Sequence, residues 1–192
     1  MQRLCVYCGS STGTSSRYAD VAVDLGEHLV QSRIGLVYGG ASKGIMGVIA
    51  DTVLLGGGDV VGVIPQALVD MEVAHSNLSK LHIVQSMHER KTLMADLADA
   101  FVALPGGYGT LEEVIEVLTW SQLKFHTKPC ALLNVGGYFD HLLAFLDHAV
   151  AEGFIRPEHR EMLLVANSAE ELTSKIASYN APHADKLPAA SR

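Results

Sequence analysis

The chain has 192 residues, of which 48% are hydrophobic and 18% are charged, and its formal net charge at pH 7 is −7. This length suits one domain of ordinary size, and the composition excludes collagen-like, disordered and coiled-coil proteins. The acidic balance argues against a nucleic acid or an anionic membrane as partner, because both favour clustered Lys and Arg.

Short apolar segments alternate with amphipathic segments along nearly the whole chain. We predict strands at 4–8, 34–38, 60–64, 81–85, 100–104, 130–134 and 163–166. We predict helices at 15–31, 44–55, 87–98, 111–123, 139–151 and 169–177. This alternation is typical of an α/β protein whose mostly parallel sheet is covered by helices on both faces. We expect one domain over 1–179 and a disordered tail over 180–192, which is rich in Ala and Pro.

The cysteines and the apolar runs bear on the compartment. Cys5, Cys8 and Cys130 are an odd number, so a reduced cytoplasm is the simplest setting. Cys5 and Cys8 form a C-x-x-C, but alternation along a strand points them to different sides, and no second pair supplies zinc ligands; we predict no metal. The first residues lack a signal-peptide pattern and no apolar run approaches a membrane span, so we predict no membrane partner.

Glycines cluster where predicted strands end. Gly9, the pair Gly39 and Gly40, and the pair at 106–107 directly follow strands, whereas the glycines at 56–58 precede a strand and suit a turn. Ligands of open parallel sheets bind beyond the carboxyl ends of the strands. The glycines after the strands therefore predict a ligand site.

The segment PGGYGTLEE at 105–113 is the strongest local motif. Its glycines let backbone N–H groups approach a ligand at a helix start, which suits a phosphate. It matches neither the dinucleotide fingerprint nor the Walker A loop. Thr110 and Glu113 also fit a capping box, so spacing alone leaves capping and catalysis equally open. The number of glycines favours function, since capping does not require them.

A second helix start, at 86–91, combines a capping box with two cations. Ser86 and Glu89 have the capping-box spacing, and Arg90 and Lys91 follow at once. The helix macrodipole disfavours cations in a first turn, so the pair could supply counter-charges for an anionic ligand. The other interpretation, a solvated surface pair, is favoured by the residues alone.

The helix after the glycine motif is apolar on two sides. The stripe predicted to face the sheet consists of Leu111, Val114, Ile115 and Leu118. The opposite side is predicted to carry Val117, Trp120 and Leu123. A helix with two apolar faces is either buried on both sides within its own chain or packs against another subunit. Because large aromatic residues are enriched at interfaces, we predict homodimerisation through Trp120.

Together these motifs resemble those of the LOG ("lonely guy") family of cytokinin riboside 5′-monophosphate phosphoribohydrolases, often labelled lysine decarboxylases. Residues 105–113 match the family's P-G-G-x-G-T-x-x-E, and 87–91 match its M-H-x-R-K. The likeness covers about 3–178. It implies a three-layer Rossmann-like fold, a homodimer with shared active sites, and hydrolysis of the N-glycosidic bond of plain or N6-modified adenosine 5′-monophosphate, without cofactor, to free base and ribose 5-phosphate.

The resemblance also implies roles for individual residues. Arg90 and Glu113 would be catalytic, and a carboxylate can stabilise the positive charge that glycosidic cleavage builds on ribose, or activate water. Both would also bind substrate, together with Glu72, Lys91, Gly107, Tyr108, Gly109, Thr110, Leu111, Glu112 and Thr119, and Gly39, Gly40 and Met87 would lie near the site. Thr119 lies about 120° around the helix from Glu113, so Thr119 or Glu72 is expected to serve the partner subunit's site.

Two other functions stay open at this point. The glycine motif could serve a nucleotide-binding module that has no important catalysis. The decarboxylase label predicts a pyridoxal phosphate aldimine on a lysine, and no segment stands out as the site of such a lysine.

Overall fold

Seven strands form one sheet in the computed structural model, which describes residues 1–71 and 74–182. The strands are β1 Arg3–Tyr7, β2 Gly35–Tyr38, β3 Val60–Pro65, β4 Lys80–Val84, β5 Ala100–Ala103, β6 Cys130–Leu133 and β7 Leu163–Ala166. Every neighbouring pair is parallel, and the order across the sheet is β4-β3-β2-β1-β5-β6-β7. The predicted parallel α/β sheet is therefore confirmed.

Helices cover both faces of the sheet. They are α1 Arg17–Gln31, α2 Gly44–Leu55, α3 Gln66–Val69, α4 Met87–Leu97, α5 Tyr108–Gln122, α6 Asp140–Ala151, α7 Pro157–Arg160 and α8 Ala169–Ser178. Residues of α1, α2 and α8 share one buried cluster with one face of the sheet, and residues of α4, α5 and α6 share the other cluster. Cys5 belongs to the second cluster and Cys8 to the first, so they point to different sides as predicted. The layers form the expected three-layer, Rossmann-like domain.

Single turns of helix escaped the sequence pattern. These are α3, α7 and a 3-10 turn at Val135–Gly137. One turn is too short to show a 3.6-residue period. Helix α5 begins at Tyr108 and not at 111 as predicted, because its first three residues precede Leu111, the first residue of the stripe that marked the helix.

The predicted faces of α5 were partly wrong. The side chains buried against the sheet are those of Thr110, Glu113, Val114, Val117 and Ser121. Val117, predicted to face outward, is 1% exposed, whereas Ile115, predicted to face the sheet, is 36% exposed. The face toward the sheet includes polar residues, so the apolar pattern alone misplaced its centre. Trp120 is half-buried against the cluster shared with α4.

The chain reverses its winding direction at the centre of the sheet. Strand β1 lies between β2 and β5, so the loops that follow β1 and β5 leave toward opposite faces and open a crevice. The two loops are joined where Gly9 N–H donates to Pro105 O at 3.1 Å. A cleft of about 290 Å³ lies here, between residues 9–13, 105–107, Tyr18 and Tyr138.

The remaining predictions concern turns and chain ends. The glycines at 56–58 do form a turn, in which Gly57 has a φ of +77°. Within the described ranges, no helix is both long and apolar enough to cross a membrane. Residues 183–192 of the predicted tail lie outside the described residues.

Candidate active site

A buried ion pair joins α4 to α5. Arg90 Nη1 donates to Glu113 Oε1, and Arg90 Nε donates to Val63 O at the end of β3, at 3.0 Å. Both charged residues are 7% exposed. A buried charge is tolerated only when it is paired and hydrogen-bonded, which this arrangement achieves.

The neighbouring lysine is buried in the same way. Lys91 Nζ contacts the carboxylates of Glu112 and Glu116, the latter at 3.0 Å. Burial lowers the pKa of Lys91, but hydrogen bonds and charge from these two glutamates outweigh it, and the pKa is raised overall. Arg90 and Lys91 are therefore not the solvated surface pair that their residues alone favoured. That interpretation was wrong because the counter-charges lie on another helix.

Burial also acts on Glu113. It raises the pKa of this carboxyl above the ordinary value, although the Arg90 guanidinium opposes the shift. A carboxylate whose pKa moves toward neutrality becomes a better proton acceptor at working pH. Glu113 is therefore a candidate for acid–base or electrostatic chemistry.

The glycines after β2 make room for the guanidinium. A Cβ on Gly39 would collide with Arg90 Nη2 and would lie 3.1 Å from Met46 Sδ. Gly40 has a φ of +78°, which few other residues adopt. Gly39 thus lets Arg90 pass across the end of β2, whereas a Cβ on Gly40 would lie 3.1 Å from Ile64 Cβ.

The start of α5 has no side-chain cap. Its N-cap residue is Gly107, and within residues 1–71 and 74–182 the four amides that open the helix donate no hydrogen bond. These are the N–H groups of Gly107, Tyr108, Gly109 and Thr110. Open amides and the positive end of the helix dipole form an anion-binding position.

The loop at 105–110, hereafter the glycine loop, contains three glycines, and they differ in what an added side chain would contact. A Cβ on Gly106 would collide with Thr110 Oγ1 and lie 2.8 Å from Gly9 N, so the fold requires this glycine. A Cβ on Gly107 or Gly109 would meet nothing within 4 Å, and neither residue has a positive φ. The chain itself therefore gives no reason for Gly107 and Gly109. Their missing side chains leave the backbone open to close approach from outside the chain.

The capping-box interpretation of Thr110 and Glu113 was wrong. Thr110 lies inside α5, two residues past the helix start at Tyr108, and the Glu113 carboxylate contacts Arg90. In the other predicted capping box, the hydrogen bond to the serine is confirmed: Ser86 Oγ accepts from Glu89 N–H at 3.1 Å.

The other predicted site residues take different positions. Tyr108 is 94% exposed, Thr110 is buried, Leu111 is half-buried and Met87 is exposed. The Thr119 hydroxyl donates to Ile115 O of its own helix at 2.7 Å. Glu72 lies outside the described residues. The structure thus brings together Arg90, Lys91, Glu112, Glu113, Gly39 and the glycine loop.

One neighbour of the glycine loop was missed from the sequence. The Tyr138 hydroxyl donates to Gly106 O at 2.6 Å. Tyr138 follows two glycines, at 136–137, that come directly after β6. The rule that drew attention to the other glycines after strands would have identified this loop as well.

The fold and the site define a doubly wound α/β protein with an uncapped helix start at its switch point. The sequence model of the family described as "Possible lysine decarboxylase" matches residues 46–176. "Probable cytokinin riboside 5′-monophosphate phosphoribohydrolase LOGL9" of Oryza sativa subsp. japonica is 54% identical over 178 residues, which cover 93% of this chain and 78% of that protein. "Cytokinin riboside 5′-monophosphate phosphoribohydrolase LOG3" of Arabidopsis thaliana is 51% identical over 182 residues, covering 95% and 85%. The chain belongs to the LOG family.

Solved structures show the same fold. The molybdenum cofactor binding protein from the phototrophic bacterium Rippkaea orientalis superposes with a TM-score of 0.70 at 20% identity, covering 92% of this chain and 95% of that one. The molybdenum cofactor carrier protein of Chlamydomonas reinhardtii gives a TM-score of 0.69 at 19% identity, covering 91% and 95%. At such identities the likeness concerns the fold alone.

Proposed function

We propose that this chain is a phosphoribohydrolase that cleaves the N-glycosidic bond of adenosine 5′-monophosphate or an N6-modified form of it. The products are the free base, a cytokinin when N6 is modified, and ribose 5-phosphate. The observation that carries the proposal is the buried pair of Arg90 and Glu113 beside the uncapped start of α5. Relatives named for this reaction share about half of their aligned residues with this chain, which supports an enzyme over a nucleotide-binding module without catalysis.

The 5′-phosphate is placed at the start of α5. Its oxygens would accept from the open amides of 107–110, and the absence of side chains at Gly107 and Gly109 allows close approach. Thr110 and Leu111 complete this first turn. Lys91 has three N–H donors, of which Glu112 and Glu116 take two, so one can reach an anion.

In this proposal, Glu113 assists the cleavage of the glycosidic bond. As the glycosidic bond breaks, positive charge develops on the ribose ring, and the Glu113 carboxylate would stabilise it or take a proton from the attacking water. The water oxygen bonds to C1′, and the departing base takes up a proton. Arg90 fixes the orientation of Glu113 and faces the anionic part of the substrate.

The test is direct incubation of the purified chain with AMP and with an N6-modified AMP, followed by chromatography for free base and ribose 5-phosphate. We expect both products in equal amounts. Nucleotide binding without base release would instead identify a binding module. A parallel incubation with lysine tests the decarboxylase label, and CO₂ release there would contradict the proposal.

We also propose a homodimer with shared active sites. Apolar side chains are exposed on and just after α5, notably Ile115 and Phe125, and Trp120 borders a cleft between α4 and α5. A second copy would cover them, and Thr119 or Glu72 would then serve the partner subunit's site. Sedimentation velocity at micromolar concentration should give a dimer; a monomer would contradict this.

A cytoplasmic location is proposed on the state of the thiols. All three cysteines are buried and unpaired, and burial raises the pKa of Cys130 to about 12. Such thiols suit a reducing compartment. Fluorescence microscopy of the tagged chain in its own cell tests the location, and a signal outside the cytoplasm would contradict it.

A further inference from the structure

A side chain from the loop after β6 reaches across to the glycine loop. Tyr138 lies between the 3-10 turn at Val135–Gly137 and α6, and its hydroxyl donates to Gly106 O at 2.6 Å. Gly106 O belongs to the peptide whose N–H is that of Gly107. The hydroxyl thus acts on the first of the four amides that open α5.

The geometry of the peptide group transmits this contact. The C=O and N–H of a trans peptide lie in one plane and point in opposite directions. A carbonyl of Gly106 that is held by Tyr138 therefore directs the N–H of Gly107 away from Tyr138. That N–H has no acceptor within the part of the chain the structure describes.

The glycine loop does not hold this peptide by itself. It lies between two glycines, which tolerate almost any rotation of the peptide plane. Gly107 has a φ of −96° and a ψ of −150°, values open to any residue, so no local restraint selects them. A bulkier residue that would restrict the peptide is excluded at Gly106 by contact with Thr110 and Gly9.

Tyr138, in contrast, is held firmly. Its ring packs edge to face on Phe139, with centroids 4.9 Å apart, and on Tyr18 at 5.5 Å. Phe139 is buried, and its N–H donates to Asn134 Oδ1 at 2.8 Å. The hydroxyl of Tyr138 therefore comes from a rigid part of the fold although the ring is 40% exposed.

We infer that Tyr138 is a positioning residue for anion binding: it fixes the Gly106–Gly107 peptide so that the Gly107 N–H faces the phosphate. The inference rests on the proposed function in one respect, that the anion is the substrate's 5′-phosphate. Pre-orienting a donor removes an ordering cost that binding would otherwise bear. The effect therefore falls on substrate affinity and not on the bond-breaking step.

The experiment compares wild type with Tyr138→Phe, which keeps the ring and removes the hydroxyl. We expect KM for AMP and the inhibition constant of inorganic phosphate to rise together, by about 3- to 10-fold for one hydrogen bond, with kcat within about twofold of wild type. Tyr179→Phe removes a hydroxyl that lies beside Ser121, at the opposite end of α5 from the glycine loop, and serves as the control, with both constants unchanged. In wild-type protein, phosphate should also shift the amide NMR signal of Gly107.

The outcomes separate the two proposals. Unchanged KM and phosphate inhibition in Tyr138→Phe would overturn the role of Tyr138 and leave the hydrolase intact. A fall in kcat alone would also overturn it, because the hydroxyl would then act on the chemistry. If wild type releases no base, the proposed function fails, and direct titration with phosphate still decides whether Tyr138 orients the loop. A Gly107 signal unmoved by phosphate would contradict the inference without any variant.

Discussion

The N-termini of α5 and α8 have the same pattern in sequence and different structures. Both carry a hydroxyl residue followed three positions later by glutamate: Thr110 and Glu113 in α5, Ser168 and Glu171 in α8. In α8, Ser168 Oγ accepts from Glu171 N–H at 3.2 Å, and the Glu171 carboxylate accepts from Asn167 N–H at 2.7 Å. Side chains of this end thus accept from two of its backbone N–H groups.

In α5 the same two residue types do something else. The helix starts at Tyr108, two residues before Thr110, its N-cap is a glycine without a side chain, and Glu113 is buried against Arg90. Open amides and a glycine in a first turn cost helix stability. Helices α1, α2 and α6 also begin without a side-chain cap, so the open start of α5 is a candidate binding position only because the buried pair of Arg90 and Glu113 lies beside it. The predictions below test this difference.

The largest effect is expected from removing the buried charge of α5. Glu113→Gln keeps the shape of the side chain and removes its charge, so we expect kcat to fall by about 10²- to 10⁴-fold while AMP binding stays within about threefold. Steady-state kinetics and calorimetric titration measure the two quantities. Glu171→Gln, the same change at α8, should leave turnover unchanged. Equal turnover in wild type and Glu113→Gln would remove Glu113 from catalysis.

The pH profile is the next test, because the pKa values of the two glutamates are shifted in opposite directions. Burial raises the pKa of Glu113, whereas hydrogen bonds from Lys175 and from Asn167 N–H lower that of Glu171. If the reaction needs the ionised Glu113, activity falls as pH falls through its raised pKa, about tenfold per unit below it. We therefore expect the acidic limb of kcat above pH 4.5, the ordinary value. A limb at or below that pH would contradict the assignment.

A methyl group at Gly109 should have effects of opposite sign on stability and binding. The Cβ has open space and the φ is not positive, so Gly109→Ala should stabilise α5 by up to about 1 kcal/mol and raise the melting temperature by about 2–4 °C. The methyl would occupy the approach of the phosphate, so KM should rise on the order of tenfold. Unchanged KM would mean that no ligand approaches here.

The smallest change in activity is expected at α8. Ser168→Ala removes a cap and should cost about 1 kcal/mol of unfolding free energy, measured by urea denaturation, with kcat and KM unchanged. Gly109→Ala and Ser168→Ala together thus form a pair: one stabilises and impairs binding, the other destabilises and spares it. Loss of activity in Ser168→Ala at a temperature where it is folded would break the comparison.

Much of the candidate site could be predicted from local sequence. The glycines after β2 and β5 lie beyond strand ends as expected, since strands with continuous apolar runs are recognisable alone. The sequence of α4 alone could not predict that Arg90 and Lys91 are buried in ion pairs. Their partners, Glu112 and Glu113, lie on α5, and only the packing of α4 beside α5 brings them together.

The order of the strands decided the rest of the site. Sequence periodicity predicts that strands and helices alternate, but it does not say which strands are neighbours. Only with β1 between β2 and β5 do the loop after β5 and the end of β2 lie at one crevice. Tyr138 illustrates the same limit, because its contact with Gly106 joins loops that follow different strands.

By itself, the sequence determined the class of fold, the parallel strands and the segments that carry the site, because these depend on local apolar patterns and glycines. The tertiary structure decided which carboxylate meets which cation, where α5 begins, and which glycines the fold itself requires. Those outcomes depend on contacts between residues distant in the chain. The fold of this acidic, glycine-rich chain gathers an uncapped helix start and two buried cations at one edge of the sheet, and the proposed anion site rests on this arrangement.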